Sequence, residues 1–327
     1  MKKKEIGLLK FQPIFQYRIW GGEKLKTVLD KNYSETKIGE SWEISGVPGN
    51  ETLVSEGIHI GESLKSLTKS FGANFVGEKC FSQYGNEFPI LIKFIDAAMP
   101  LSVQVHPDDA LAKERHDSLG KNEMWFIMDS ERDADLIVGF NKKMDKESYQ
   151  KSIADGTLMS DLNSLPVEKG ELYYLPAGRV HAIGQGVMLA EIQQTSDVTY
   201  RVYDYDRVDA VTGKKRDLHV EESIDAIDFR EVEEYRTVYP KDSNQSNLMI
   251  DTPYFKTNYI KASKELKMSY TENESFRIYI CTEGKAVLKI ENQEVEIKKG
   301  ETILMAANEK SLTILPSSNV ELLEASY

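Results

Sequence analysis

Cysteine is scarce. Cys80 and Cys281 are the only two in 327 residues, so no disulfide framework is available and a reducing cytoplasm is the expected setting. Long apolar runs are missing too. No stretch approaches the roughly 18–20 residues that a membrane-crossing helix needs, and no membrane association is expected. The basic start Met1-Lys2-Lys3-Lys4 leads into Glu5-Ile6-Gly7-Leu8-Leu9-Lys10 rather than into the apolar core of a secretory leader. Basic blocks are absent: 41 Lys and Arg face 53 Asp and Glu, a net charge of −12, so nucleic acid is not an expected partner. An anionic small substrate would need a local basic pocket.

What is present is an ordinary globular composition, 40% hydrophobic and 9% aromatic. The length exceeds the usual single-domain size, and two domains are expected. Short strand-like runs dominate. The segments 41–45, 101–106 and 198–203 alternate polar and apolar, as half-buried strands do, while 88–95 is nearly continuously apolar, as a strand buried on both faces would be. Helices are predicted over 62–71, 108–116, 145–153 and 221–227, with Pro107 placed to open the second. Many strands with few helices predict a mainly β sandwich or barrel carrying helical insertions. The polar, turn-prone run 239–247 reads as part of a linker. The predicted division is therefore 1–235 as the larger domain, 236–252 as linker and 253–327 as a small all-strand domain.

Five histidines occur, and two of them fall inside a spaced pattern. Gln104 and His106, two apart on one predicted strand, point to the same face. Glu123 stands at the start of an apolar strand, Met124-Trp125-Phe126-Ile127-Met128. His181 follows a Pro176-Ala177-Gly178 turn that completes the spacing G-x5-P-x-G-x2-H from Gly170. Proline fixes φ there, glycine permits φ > 0, and the imidazole is presented at a set angle. Each residue alone has a bland reading as a strand-end hydrogen bonder or a solvent-facing acid. Together they form the N/O donor set that a divalent first-row metal takes. A weak internal repeat supports this: the same offsets from Gly300 meet Ala306, Asn308 and Ser311, so the second domain keeps the turn and lacks the donors. It is expected to be a metal-free relative of the first.

The metal turn paired with an upstream strand bearing His and a later Glu resembles the two motifs of the cupin superfamily. More narrowly, Tyr17-Arg18-Ile19-Trp20-Gly21-Gly22, Gly39-Glu40-Ser41-Trp42-Glu43, Pro100 through Pro107, Lys121-Asn122-Glu123-Met124, Pro176 through Ala182 and Glu191 through Arg201 resemble the type I mannose-6-phosphate (phosphomannose) isomerase family in its short bacterial form. The resemblance spans most of the first 210 residues. It implies a jelly-roll-like cupin β-barrel with helical insertions, joined to a smaller cupin-like β-domain. It further implies one zinc ion per chain held by Gln104, His106, Glu123 and His181, with Arg201 and Glu191 as catalytic residues and Lys121 and Arg201 binding substrate.

The implied reaction interconverts mannose 6-phosphate and fructose 6-phosphate through a cis-enediol. Negative charge developing on oxygen would be met by the metal and an arginine. A proton must move between C1 and C2, and Glu191 or a metal-bound water could carry it. Two other readings of these residues stay open, a cupin Fe(II) oxygenase and a non-catalytic sugar-binding cupin. Trp20 and Trp42 admit either sugar stacking or core packing, and Tyr203, Asp204, Tyr205 and Asp206 could orient Arg201. His59, His116 and His219 lack partners at ligand spacing and are expected to face solvent. The sequence leaves monomer and homodimer undecided.

Overall fold

The computed structural model describes residues 6–327, so the basic start Met1-Lys2-Lys3-Lys4 lies outside the described residues. The larger unit is built from two antiparallel sheets. A six-stranded sheet runs in the order Leu172–Leu175, Glu123–Ser130, Val187–Gln194, Ile90–Asp96, Ile38–Ile44, Ile14–Gly22. A five-stranded sheet runs in the order Leu162–Pro166, Asp135–Phe140, His181–Ile183, Val103–Val105, Tyr200–Tyr203. The two inner faces meet in one apolar cluster containing Ile95, Trp125, Ile127, Leu136, Ile183 and Leu189. This is the expected mainly β, jelly-roll-like architecture.

Alternation along each strand decides what faces what. On the five-stranded sheet, Val103, Val105, Val180 and Ala182 pack outward against Tyr149, Tyr200 and Ile227, leaving Gln104 and His181 inward. On the six-stranded sheet, Ile92, Phe94, Phe126 and Ile192 face a second core that also holds Phe276, Ile278 and Leu323 of the C-terminal unit. The strand Ile90–Asp96 is accordingly buried at every position, as its apolar run predicts.

The four predicted helices occur at Leu64–Phe71, Asp109–His116, Lys146–Ala154 and Val220–Ala226. Asp108 accepts from the backbone N–H of Leu111, and Asp145 forms a capping box with Ser148, so the starts of the second and third of these helices are chemically defined. Two further short helices, Ala73–Val76 and Glu78–Tyr84, lie just after the first. Backbone bonds from this insertion reach the C-terminal unit: Glu78 N–H donates to Asn273 O, and Ala307 N–H to Phe75 O.

The C-terminal sheet has eight strands, dominated by Arg277–Ile290 and Ser311–Ser326. The first half of Arg277–Ile290 pairs with Thr302–Met305 and the second half with Gln293–Lys298. Register shifts around Glu283 and Gly284 let this strand bend from one layer to the other. Gly284 sits at φ 76°, where a Cβ would collide with the Asn319 carbonyl oxygen. Two features depart from a simple division of the chain. Leu8–Leu9 pairs with Leu304 and Met305, so the described chain begins in the C-terminal sheet. Ser246–Asp251, which falls inside the predicted linker 236–252, is an edge strand paired with Lys256–Ala262, and its Met249 and Ile250 are buried in the core.

Candidate metal centre and active-site cavity

The Pro176-Ala177-Gly178 turn is tied to the strand it faces. Gly178 N–H donates to the carbonyl of His106 at 2.9 Å, so the backbones carrying the two histidines are joined directly. Gly178 has φ 87°, and a Cβ there would stand 2.8 Å from the Ala226 carbonyl oxygen; only glycine fits. His181 pairs in register with Gln104. Glu123 enters from the opposite sheet as the first residue of its strand.

These placements bring His106 Nε2 to 3.5 Å from Glu123 Oε2, and His181 Nε2 to 3.2 Å from Glu123 Oε1. One potential ligand atom from each of the three residues lies within 4.8 Å of the others, and all three are buried. Gln104 Nε2 lies 3.2 Å from His181 Nε2. His106 Nδ1 pairs with the carbonyl of Val198 at 3.0 Å and His181 Nδ1 with that of Arg179 at 2.8 Å. A carbonyl can only accept, so each Nδ1 carries the proton and each Nε2 turns a lone pair inward. Burial, aided by the nearby Lys121 charge, pushes the His106 pKa well below its ordinary value; burial likewise takes His181 down to about 4. Both rings are neutral imidazoles, the form that ligates metals.

Buried donors without partners test whether a metal fits. His106 Nε2 and both Glu123 oxygens have no hydrogen-bond partner. Lys121 Nζ lies 3.2 Å from Glu123 Oε2, an ion-pair distance without hydrogen-bond alignment. Lone pairs left facing one another inside a protein are costly unless a cation joins them. The donor set fits a divalent ion.

The space beside this group is a cavity of about 550 Å³, lined by Gln104, Lys121, Glu191 and Arg201 among others. Glu191 and Lys93 are cross-strand neighbours, as are Lys93 and Trp42, and Glu191 and Trp125. Lys93 Nζ lies 3.0 Å from Glu191 Oε1, and Trp125 Nε1–H donates to Glu191 Oε2 at 2.8 Å. Burial alone would raise the Glu191 pKa, but the Lys93 and Lys121 ammonium groups outweigh it and hold it low; Glu123 is pushed up by burial. Burial also works against the Lys121 ammonium, yet Glu123, Glu191 and Glu40 raise its pKa above the ordinary lysine value. Arg201 is half-buried near the rim, with Nε toward Ser102 Oγ at 3.3 Å and Nη1 donating to Asp217 O at 2.9 Å. Burial and the nearby Arg216 charge lower its pKa.

Residues 8–132 match the model of the phosphomannose isomerase type I catalytic domain, and residues 244–322 that of the mannose-6-phosphate isomerase cupin domain. The chain is 33% identical to the mannose-6-phosphate isomerase of Streptococcus mutans across 90% of both proteins. It is 34% identical to the mannose-6-phosphate isomerase ManA of Bacillus subtilis, over 91% of this chain and 92% of that one. The chain belongs to the type I phosphomannose isomerase family. That family is one of aldose–ketose isomerases, and this member is an enzyme of that class. The crystal structure of the Bacillus subtilis mannose 6-phosphate isomerase superposes with a TM-score of 0.87 at 30% identity, covering 98% of this chain and 99% of that one. A structure from Archaeoglobus fulgidus, at 20% identity and TM-score 0.76, shares the fold.

The cavity is also lined by Arg18, Glu40 and Lys93, which sequence reasoning did not single out for the site. Lys93 and Glu191 are a buried ion pair, and Lys93 Nζ stands 5.0 Å over the Trp42 ring. Glu40 is gripped by Arg18 through bonds of 2.8 and 2.9 Å and by Trp42 Nε1 at 2.7 Å. One clue was available for Lys93: a lone charge inside an apolar run needs a buried partner. Trp20 packs in the inner core and also borders the cavity. Asp204 bonds Arg207 and Arg216 rather than Arg201, and Tyr203 and Tyr205 pack edge-on against each other at 5.0 Å. His116 faces solvent as expected. His219 is half-buried and its Nδ1 accepts from the Arg201 backbone N–H. His59 contradicts the expectation: it is 4% exposed, 2.9 Å from Glu62 Oε1 and edge-on to Phe71, because the helix start at Ser63 folds back over it.

No helix among the described residues is long and apolar enough to cross a membrane.

Proposed function

We propose that this chain interconverts D-mannose 6-phosphate and D-fructose 6-phosphate in carbohydrate metabolism, with one zinc ion held by Gln104, His106, Glu123 and His181. The observation that carries the reading is the set of partnerless buried donors lying beside a cavity with Gln104, Lys121, Glu191 and Arg201 on its walls. Gln104 joins the set once its amide presents Oε1, a half-turn of the terminal torsion. The ion, when bound, supplies Lewis acidity toward the substrate oxygens at C1 and C2.

The chain's own residues carry the rest. Glu191 is held ionised by the Lys93 ammonium 3.0 Å from Oε1 and is oriented by the Trp125 N–H on Oε2, so Oε1 carries no hydrogen bond, which suits a base that takes the proton from one carbon and returns it to the next through a cis-enediol. Lys121 lies deep, 3.2 Å from Glu123, so it binds substrate at the reacting end and meets oxygen charge as it develops. Arg201, near the rim, docks the phosphate and adds positive charge.

Elemental analysis of the purified protein, with coupled isomerase activity measured before and after chelation, tests the reading. About one zinc per chain is expected, with activity lost on chelation and restored by zinc. A His181→Ala variant that binds zinc normally and keeps full activity overturns it.

A further inference from the structure

The two β-units share a rule of construction. In the larger unit the barrel interior changes from polar to apolar within two residues along three strands: Lys93 then Ile95, Glu191 then Leu189, His181 then Ile183. The C-terminal unit does the same. Asn258, Glu324 and Tyr279 stand side by side across three strands, and two residues along the same faces come Ile260, Leu322 and Cys281 of its apolar interior. At the polar end lies a cavity of about 340 Å³, small-ligand sized.

Its wall is ordered but not fully satisfied. Glu324, 3% exposed, accepts from Tyr270 Oη at 2.7 Å and from Asn258 Nδ2 at 3.3 Å, while a carboxylate offers about four acceptor sites. Arg277, 8% exposed, uses Nη1 on the Phe276 carbonyl and Nη2 on Glu274. Its buried Nε–H has no hydrogen-bond partner and stands 3.6 Å from Glu324 Oε1. An unmet donor and spare acceptor sites thus share one barrel mouth, beside the Tyr270 ring.

We propose that the mouth of the C-terminal barrel is a second ligand site, separate from the catalytic cavity, that takes a small neutral polyhydroxylated molecule. Charge selects the class. Lys256 and Arg277 are balanced by Glu274 and Glu324 in the lining, so an anion meets the Glu324 carboxylate and a cation meets Arg277. A hydroxyl group satisfies both, accepting from Arg277 Nε–H and donating to Glu324, and its carbon-bound hydrogens rest on the aromatic ring. Every residue that lines this mouth belongs to the C-terminal unit.

Calorimetric titration of the full chain carrying His181→Ala, with D-mannose, D-fructose and myo-inositol as neutral probes and inorganic phosphate as the anionic one, tests the proposal. At least one neutral probe is expected to bind saturably and phosphate not to compete with it. Glu324→Gln should weaken that binding at least tenfold. Asn258→Ala, at a half-exposed position, provides the same reading should the first variant unfold. In the otherwise native chain, Asn258→Ala should leave isomerase activity within twofold. Absence of saturable binding by all three neutral probes, competition by phosphate, or affinity unchanged by Asn258→Ala but abolished by Arg201→Ala overturns it.

Discussion

Replacing Glu40 by glutamine removes one charge from the wall of the catalytic cavity while keeping its shape. The carboxylate is 8% exposed and is held by two bonds from Arg18 and one from Trp42. Burial alone would raise its pKa, but the Arg18 and Lys93 charges, with these hydrogen bonds, outweigh burial and hold it at about 2, against an ordinary 4.5. The folded value lies below the unfolded one. Ionisation therefore stabilises the fold above about pH 4.5, and that contribution is lost as the pH falls through about 2. A difference of about 2.5 at roughly 1.36 kcal/mol per pH unit gives about 3.4 kcal/mol. Of this, ~2 kcal/mol survives at about pH 3.5. Glu40→Gln imitates the protonated form, so it should be less stable than the parent by about 3 kcal/mol near neutral pH, with the gap narrowing to ~2 kcal/mol near pH 3.5. Urea unfolding of both proteins at the two pH values, followed by tryptophan fluorescence and far-ultraviolet circular dichroism, reads the gap. A gap that stays constant, or widens on acidification, refutes the reasoning.

Other substitutions probe other levels of the structure. Gly178→Ala places a Cβ 2.8 Å from Ala226 O at φ 87°, and should cost roughly 1–3 kcal/mol of stability and lower metal content, read by thermal unfolding and elemental analysis. Lys93→Met strips Glu191 of its nearest cation, 3.0 Å away, so the acid limb of the rate profile should move to higher pH and kcat fall about 10²-fold or more, with a smaller change in KM; a superimposable pH profile counts against the assignment of Glu191 as base. Leu8→Ala removes a side chain 3% exposed in the C-terminal core, and a loss of about 2–4 kcal/mol by chemical denaturation is expected; no loss would mean that the Leu8–Leu9 pairing contributes nothing to holding the C-terminal sheet.

Much of the candidate site was legible because its parts are local. Period-two alternation over 101–106 puts Gln104 and His106 on one face, and the Pro-Ala-Gly turn aims His181 whatever surrounds it. Strand and helix content followed from the same periodicities, and one helix start was written in Pro107. The edge strand Ser246–Asp251 was not legible, since it begins inside the polar run 239–247 and its order comes from a ladder partner.

The sequence by itself determined a mainly β, mildly acidic chain with few cysteines, and a metal-type donor set at family spacing. The tertiary structure alone decided which charges meet. Lys93 looked like an interruption in an apolar strand until register set it between Trp42 and Glu191, and His59 looked solvent-facing until the following helix covered it. The C-terminal polar mouth was likewise invisible, because Asn258, Arg277 and Glu324 become neighbours only through strand pairing. The physical reason is one of range: turn geometry and strand alternation act within a few residues, whereas cross-strand register, and with it the pairing of buried charges, exists only once distant segments are packed.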